Sequence, residues 1–289
     1  MKPRFQPIIP AILTLCGTAA VLISCADYDE PEVPPITKSM LISRDYFPDG
    51  STTLTSHASY EYDAQGRCIH IVVTDASQNN ISSTDITYAD RQIIETKQEG
   101  TTETAHFTYT LDEAGRITFL RHSSNRSMTT ETAYDYNKQG HLIHIISNPQ
   151  TNSPDTIFLI WKNDDIVMKK HSSTDNILTI TTMSTYSYGD TPFQFIPSES
   201  IGIDETLFRT GFFGILPAHQ ILRCEYNNII RSSLPVQLIT TTYAYDYQYN
   251  AADHIISYDI QETNIVNSGI PTEKTDHYNL RWMETVLSN

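Results

Sequence analysis

The fold of this 289-residue chain is decided by one stretch, residues 107–117, which reads Phe107-Thr108-Tyr109-Thr110-Leu111-Asp112-Glu113-Ala114-Gly115-Arg116-Ile117. Apolar and polar residues alternate up to Leu111, which is typical of a β-strand with one buried face. An Asp that opens a type I turn, followed three residues later by a Gly that tolerates positive φ, is typical of a tight hairpin turn. The stretch therefore predicts a strand, a hairpin turn and the start of a second strand.

The same pattern returns along the chain. Close copies begin at Tyr60 (YEYDAQGRCI) and at Tyr134 (YDYNKQGHLI). Six turn markers, at intervals of 24, 25, 25, 24 and 25 residues, are Gly66, Asp90, Gly115, Gly140, Asp164 and Gly189. Turn formers also recur midway between markers, so each period predicts two strands. We therefore expect an all-β fold, a large antiparallel up-and-down meander of about 14–16 strands in a closed or strongly curved barrel-like sheet.

One segment interrupts the repeats. Residues 190–222 lose the alternation and are enriched in Phe, Leu and Ile. A short helix is predicted between Ser200 and Gly214, where Leu207 and Phe208 share one face. We expect this insert to be a mostly irregular plug or cap over the apolar face of the sheet, within a single domain that spans residues 37–289.

The N-terminus indicates export. Lys2 and Arg4 precede an apolar run over residues 8–23, which is typical of a signal peptide and is shorter than a membrane-spanning helix. Residues 1–25 end in Leu-Ile-Ser-Cys, which resembles a bacterial lipobox and implies lipidation, by palmitate or a similar acyl chain, at Cys25. Residues 26–36 are acidic and proline-rich and predict a tether. The acidic run resembles the surface-export signal of Bacteroidetes lipoproteins, and a plain solvated linker is the alternative.

A family resemblance covers most of residues 37–289. The Tyr-x-Tyr-Asp-x-x-Gly-Arg hairpin resembles the YD repeat of Rhs-type proteins. The lipobox, the hairpins and the insert together are similar to a Bacteroidetes lipoprotein family of unknown function described as having a porin-like fold. The resemblance implies a protein anchored to the outer membrane by its lipid alone, on the cell surface or the periplasmic face. Mid-strand acids such as Asp85 and Glu131 predict that the strands do not all face lipid.

Composition and motifs bound the function. The formal net charge of −15 argues against binding to nucleic-acid phosphate, because no excess of Lys and Arg is present. His141 and His144 are three residues apart and would point to opposite faces of a strand, so they predict no metal site. Neither a metal nor a cofactor is expected. Catalysis is unsupported by any motif, although it is not excluded, and Cys68 and Cys224 are either a disulfide or two separately buried thiols.

Aromatic residues supply the candidate binding site. Many lie just before a marker turn, and an up-and-down sheet gathers them at one rim, where they would stack on a ligand or form a cross-strand ladder. The candidates, together with three from the insert, are Tyr62, Tyr109, Tyr136, Trp161, Tyr188, Tyr247, Phe208, Phe212 and Phe213. The favoured hypothesis is a non-catalytic binding or structural module for a glycan or a protein. The alternative is a polysaccharide-acting hydrolase with a cavity under the insert, where Glu199, Asp204 or Glu205 would face a second carboxylate.

Overall fold

The protein is described from a computed structural model, which covers residues 37–124, 127–151, 154–174, 179–195, 203–231 and 236–286. These residues form sixteen β-strands and one short helix, α1, at Glu205–Arg209. The strands are β1 Thr37–Phe47, β2 Ser56–Tyr62, β3 Cys68–Asp75, β4 Asn80–Ala89, β5 Gln92–Glu99, β6 Thr102–Leu111, β7 Ile117–Ser124, β8 Ser127–Tyr136, β9 Leu142–Ser147, β10 Asp155–Lys162, β11 Asp165–Thr174, β12 Thr179–Pro192, β13 His219–Arg231, β14 Gln237–Tyr249, β15 Ile255–Val266 and β16 Thr272–Val286. The predicted signal peptide, tether and lipidation site at Cys25 lie outside the described residues.

The strands close into a barrel. Each strand pairs in antiparallel fashion with its neighbours in the sequence, and β1 pairs with β16 to complete the circle. Around this closure Tyr46 lies opposite Tyr278, and their rings are 5.0 Å apart. The predicted all-β meander is therefore confirmed, and of the two forms that the sequence left open the structure has the closed one.

The two faces of the wall differ in polarity. Phe107 and Tyr109 point inward and join the hydrophobic core, as the alternation in this stretch predicted. The outer face instead carries charged pairs across neighbouring strands. Three of them are His70 with Asp85 (2.8 Å), Arg121 with Glu131 (2.9 Å) and His277 with Asp259 (2.6 Å). Opposite charges on facing strands suit a surface in contact with water, whereas a lipid-facing barrel needs a continuous apolar band.

The marker turns lie together at one end of the barrel. Five of the six markers fall in hairpin turns, but the turn predicted at Gly189 is wrong, because β12 continues past this residue to Pro192. Gly189 has Tyr186 three residues before it, so it lacks the Asp or Asn that opens the three other marker turns that contain Gly. A turn without Gly joins β14 to β15, where Asn250 Oδ1 accepts hydrogen bonds from two backbone amides and Asp253 takes a φ of 59°.

The insert closes the same end of the barrel. It runs over residues 193–218, slightly shorter than the predicted 190–222, and contains α1, which begins after the N-cap residue Asp204. Leu207 and Phe208 of this helix are fully buried. Backbone hydrogen bonds fix the insert to the marker turns, as from Ile117 N to Phe212 O (2.7 Å). The predicted plug is therefore confirmed, and in the described part of the chain no helix is long and apolar enough to cross a membrane.

Candidate functional site

The aromatic residues predicted to bind a ligand lie on the inner face of the barrel near its plugged end. Most of them donate a hydrogen bond from a hydroxyl or indole N–H to a backbone carbonyl of the preceding strand. These bonds run from Tyr62 to Leu41 (2.6 Å), Tyr136 to Ile117 (2.6 Å), Trp161 to Leu142 (2.7 Å), Tyr188 to Ile166 (2.6 Å) and Tyr247 to Ile221 (2.7 Å). Tyr109 donates instead to the Glu95 carboxylate (3.0 Å). Their polar atoms thus bond within the protein, and ligand binding by these residues stays a prediction.

The repeated turn motif explains why an aromatic residue recurs with each turn. Asp112 Oδ1 accepts from the backbone amides of Ala114 and Arg116 (both 2.9 Å), and its Oδ2 accepts from Arg116 Nε (2.8 Å). The Arg116 guanidinium, held in this way, lies 4.6 Å from the ring centre of Tyr136. Tyr136 in turn bonds to the carbonyl of Ile117, the residue after the Arg. One motif therefore shapes the turn and joins it to the next hairpin.

Three other turns repeat this arrangement. In the β2–β3 turn, Asp63 holds Arg67, which lies 4.4 Å from the ring centre of Tyr88. Where an Asn opens the turn, a His replaces the Arg and a Trp replaces the Tyr. The two stacked pairs are His141 with Trp161 (4.5 Å) and His254 with Trp282 (5.7 Å). The change from Arg and Tyr to His and Trp keeps a planar cationic or polar group on an aromatic face.

The three insert phenylalanines pack into the barrel. Phe208 and Phe213 are 0% and 1% exposed, so a ligand cannot reach them without displacing the plug. Phe212 is partly buried and stacks on Tyr88, with ring centres 5.7 Å apart. These contacts make the insert a plug with an aromatic core.

A cavity of about 280 Å³ lies at the plugged end, beside the place where β1 begins and β16 ends. Every other pair of strands at this end is joined by a hairpin turn or by the insert, so among the described strands only β1 and β16, which are paired, have no connection over the end of the wall. The strands of the wall contribute Lys38, Ser39, Met40, Tyr62 and Trp282, and the turns contribute Gly66 and His254. The insert contributes Phe193, Gln194, Arg209, Thr210 and Leu216. We refer to this cavity as the closure pocket.

The closure pocket is cationic. Lys38 donates to the Gly66 carbonyl (3.2 Å), and Arg209 Nη2 donates to the Tyr62 hydroxyl (3.1 Å). Burial lowers the pKa of Lys38, and the charge of Arg209 lowers it further, while Asp63 acts in the opposite direction. The positive charges of Lys38 and Arg209 are thus close enough to repel each other. Within the described residues, Arg209 Nη1 has no hydrogen-bond partner.

The carboxylates of the insert lie outside this pocket. Glu205 pairs with Arg44 (3.0 Å). Asp204 Oδ1 accepts from the Leu207 amide (2.9 Å), and burial together with the charge of Glu95 raises the pKa of Asp204 to about 6. Glu95 pairs with Lys97 (3.0 Å). Asp204 and Glu95 thus influence each other, but each already has a structural partner, and Glu199 lies outside the described residues.

The two cysteines of the barrel do not form a disulfide. Cys68 and Cys224 are free and buried, and burial raises the pKa of each thiol to about 12. The sequence allowed either a disulfide or two separately buried thiols, and the structure has the two separate thiols. Across the residues that the structure covers, no group of three or more His, Cys, Asp or Glu side chains is arranged to hold a metal ion.

Comparison with known proteins identifies the fold. A crystal structure of a porin-like protein from Bacteroides uniformis superposes on this chain with a TM-score of 0.60 and 16% sequence identity, covering 84% of this chain and 96% of that one. The chain has a porin-like fold. No protein-family model matches the sequence, and no curated protein matches it significantly. At this low identity the likeness extends to the fold of the porin-like neighbour and not to its activity.

The sequence reasoning missed most of the closure pocket. Tyr62 was a candidate, but Lys38, Arg209, His254 and Trp282 were not. Trp282 lies in the last strand, at the position equivalent to that of Trp161 in its own hairpin, and each Trp stacks on the His of the turn before it. The repeat could therefore have indicated Trp282. The pocket could not be found from local spacing, because it exists only once β1 and β16 meet.

Proposed function

We propose that this protein is a non-catalytic binding module for a glycan or a protein. The single observation that carries the proposal is the closure pocket, which combines an apolar surface with polar and cationic groups, as binding sites commonly do. The pocket favours a glycan over a protein, because about 280 Å³ holds one small ring, whereas a protein partner usually covers about 800 Å² of surface. A glycan chain would place one sugar unit there.

We further propose that a lipid on Cys25 holds the barrel at the outer membrane, on the cell surface or the periplasmic face. The charged pairs on the outer wall support an anchor outside the barrel, since these strands are poorly suited to hydrocarbon.

The polysaccharide hydrolase has less support. Such an enzyme needs two carboxyl groups on either side of the scissile bond. The described lining of the closure pocket contains no Asp or Glu, and the buried pair Asp204 and Glu95 is engaged in the N-cap and in an ion pair. The non-catalytic function is therefore the one we propose.

A glycan array probed with the full-length protein in detergent tests the binding function. The chain has two tryptophans, and only Trp282 lines the pocket. Glycans that bind should change the fluorescence of a Trp161→Phe variant, in which Trp282 remains. A Trp282→Phe variant, in which Trp161 remains, is the matched control and should show little change. The absence of any glycan signal on the array and in fluorescence would contradict the proposal.

The anchor is tested by fractionation. A Cys25→Ala variant should leave the membrane fraction, because acylation requires the thiol at this position. Cys16→Ala, in the apolar run of the same predicted signal, is the matched control and should stay with the membrane. Unchanged membrane association of the Cys25 variant would refute lipidation.

A further inference from the structure

The closure pocket carries a local excess of positive charge in an acidic protein. Its described charged lining residues are Lys38 and Arg209, with His254 as a third titratable group. The nearest acid to Arg209 in the insert is Glu205, and this carboxylate is shared because it bonds to Arg44. An anion inside the pocket would therefore meet two cations that the protein itself leaves only partly neutralised.

One guanidinium nitrogen of Arg209 lacks a hydrogen-bond acceptor within the described residues. Arg209 is almost entirely enclosed, and this nitrogen, Nη1, is closed off from solvent, while Nη2 donates to Tyr62. A ligand in the pocket therefore reaches Nη1 only if the guanidinium turns toward the cavity. A buried charged donor without a partner costs about 1–3 kcal/mol or more. A guanidinium also binds a carboxylate with two parallel bonds, which Lys cannot do. This geometry favours a ligand with a planar anionic group.

The other residues that line the pocket indicate which groups the rest of the ligand carries. Trp282, Phe193 and Leu216 offer aromatic and aliphatic surface, and Gln194 and Thr210 offer amide and hydroxyl groups. A sugar ring has an apolar face that packs on aromatic side chains and hydroxyl groups at its edge that form hydrogen bonds. A planar anion attached to a ring of this kind is a uronic acid.

We propose that the closure pocket binds an acidic sugar unit, a hexuronic acid, with its carboxylate on Lys38 and Arg209 and its ring against Trp282. This inference rests on the proposed glycan-binding function and names the class of sugar. It adds a charge requirement that the binding function alone does not have.

The test compares two sugars that differ only at C6, D-glucuronate and D-glucose, by titration of the full-length protein. Glucuronate should bind at least about tenfold more tightly than glucose, and Lys38→Gln should remove about tenfold of its affinity. Arg209→Lys keeps the charge but loses the paired bonds and should also weaken glucuronate. Lys162→Gln is the matched control, because Lys162 is exposed at the same end of the barrel and does not line the pocket.

The outcomes separate the two proposals. Equal affinity for the two sugars, or unchanged glucuronate affinity in a folded Lys38→Gln protein, overturns the acidic-sugar inference and leaves glycan binding in place. Failure of both sugars and of every array glycan overturns the binding function as well. If Arg209→Lys does not fold, the Lys38 variant decides alone, since Lys38 is only half-buried.

Discussion

Replacing Asp204 by Asn is expected to stabilise the protein at neutral pH and to change its stability little in acid. Asp204 lies in the barrel interior at the N-cap of α1, and burial and the charge of Glu95 raise its pKa from 3.8 to about 6, against the Leu207 amide and Lys97. Asn keeps the cap, because its amide oxygen accepts the same hydrogen bond from Leu207 N and Asn caps helices as well as Asp. The substitution therefore removes the charge alone.

The sign and size of the effect follow from the pKa. Below pH 3.8 the Asp204 carboxyl is protonated in the folded and unfolded states, so it contributes no charge penalty. Between about pH 4 and pH 6 the unfolded chain loses the proton while the folded protein keeps it, so stability falls as pH rises through this window. A shift of about two pKa units corresponds to at most about 3 kcal/mol, and the partial solvent contact of Asp204 reduces this to about 1–2 kcal/mol.

Urea unfolding of the wild type and of Asp204→Asn at pH 4 and pH 7.5 measures this difference. The variant should gain about 1–2 kcal/mol at pH 7.5 and almost nothing at pH 4. Asp204→Ala is the control for the cap and should lose about 1 kcal/mol relative to Asn at both pH values. A difference between Asn and wild type that does not change with pH would refute the reasoning, because the effect would then not come from the carboxyl charge.

Substitutions at three further positions test the turn motif and the plug. Tyr136→Phe removes the donor to the Ile117 carbonyl and should cost about 1–2 kcal/mol in urea unfolding; no loss would mean that water replaces the bond. Asp112→Asn keeps the backbone hydrogen bonds but loses the ion pair with Arg116, whereas Asp112→Ala loses both, so the Ala variant should be less stable by about 1 kcal/mol and the reverse order would contradict the motif. Gly214→Ala places a Cβ 2.3 Å from a backbone oxygen of the β8–β9 turn at a φ of +86°, so the insert should become faster to cleave in limited proteolysis, and unchanged cleavage would contradict this contact.

The fold was predictable because one local motif sets both the turn and its period. Asp112 and Gly115 define a hairpin without reference to the rest of the chain, and copies about 25 residues apart fix the strand order as an up-and-down meander. The same reasoning failed at Gly189, where a Gly is present without the capping residue. The six markers also do not include Asn250, which opens the turn between β14 and β15 and where Asp253 adopts the positive φ that Gly adopts elsewhere. The capping Asp or Asn is thus a better marker of these turns than the Gly.

The pocket was not predictable in this way, since its residues come from distant parts of the chain. Lys38 and Trp282 are separated by almost the whole domain and meet only through the pairing of β1 with β16. Closure of the barrel was one of two forms that the sequence allowed. Arg209 reaches the same point from the insert, whose path has no periodicity from which to predict it. The rim aromatics, by contrast, were located correctly along the chain, although their hydroxyls bond to the wall.

The position of the pocket follows from a property that any closed meander with sixteen strands must have. An even number of strands brings the start of β1 and the end of β16 to the same end of the barrel, where the rim carries seven connections and one break. At four of the connections the turn supplies an Arg or His that covers the aromatic residue of the next hairpin. At the break no described hairpin joins β16 to β1, and the cation at Tyr62 comes from Arg209 of the plug instead. The arrangement found at the four turns is thus replaced here by a cation from the plug and an adjoining cavity, which is why the cavity lies at the one break in the repeat.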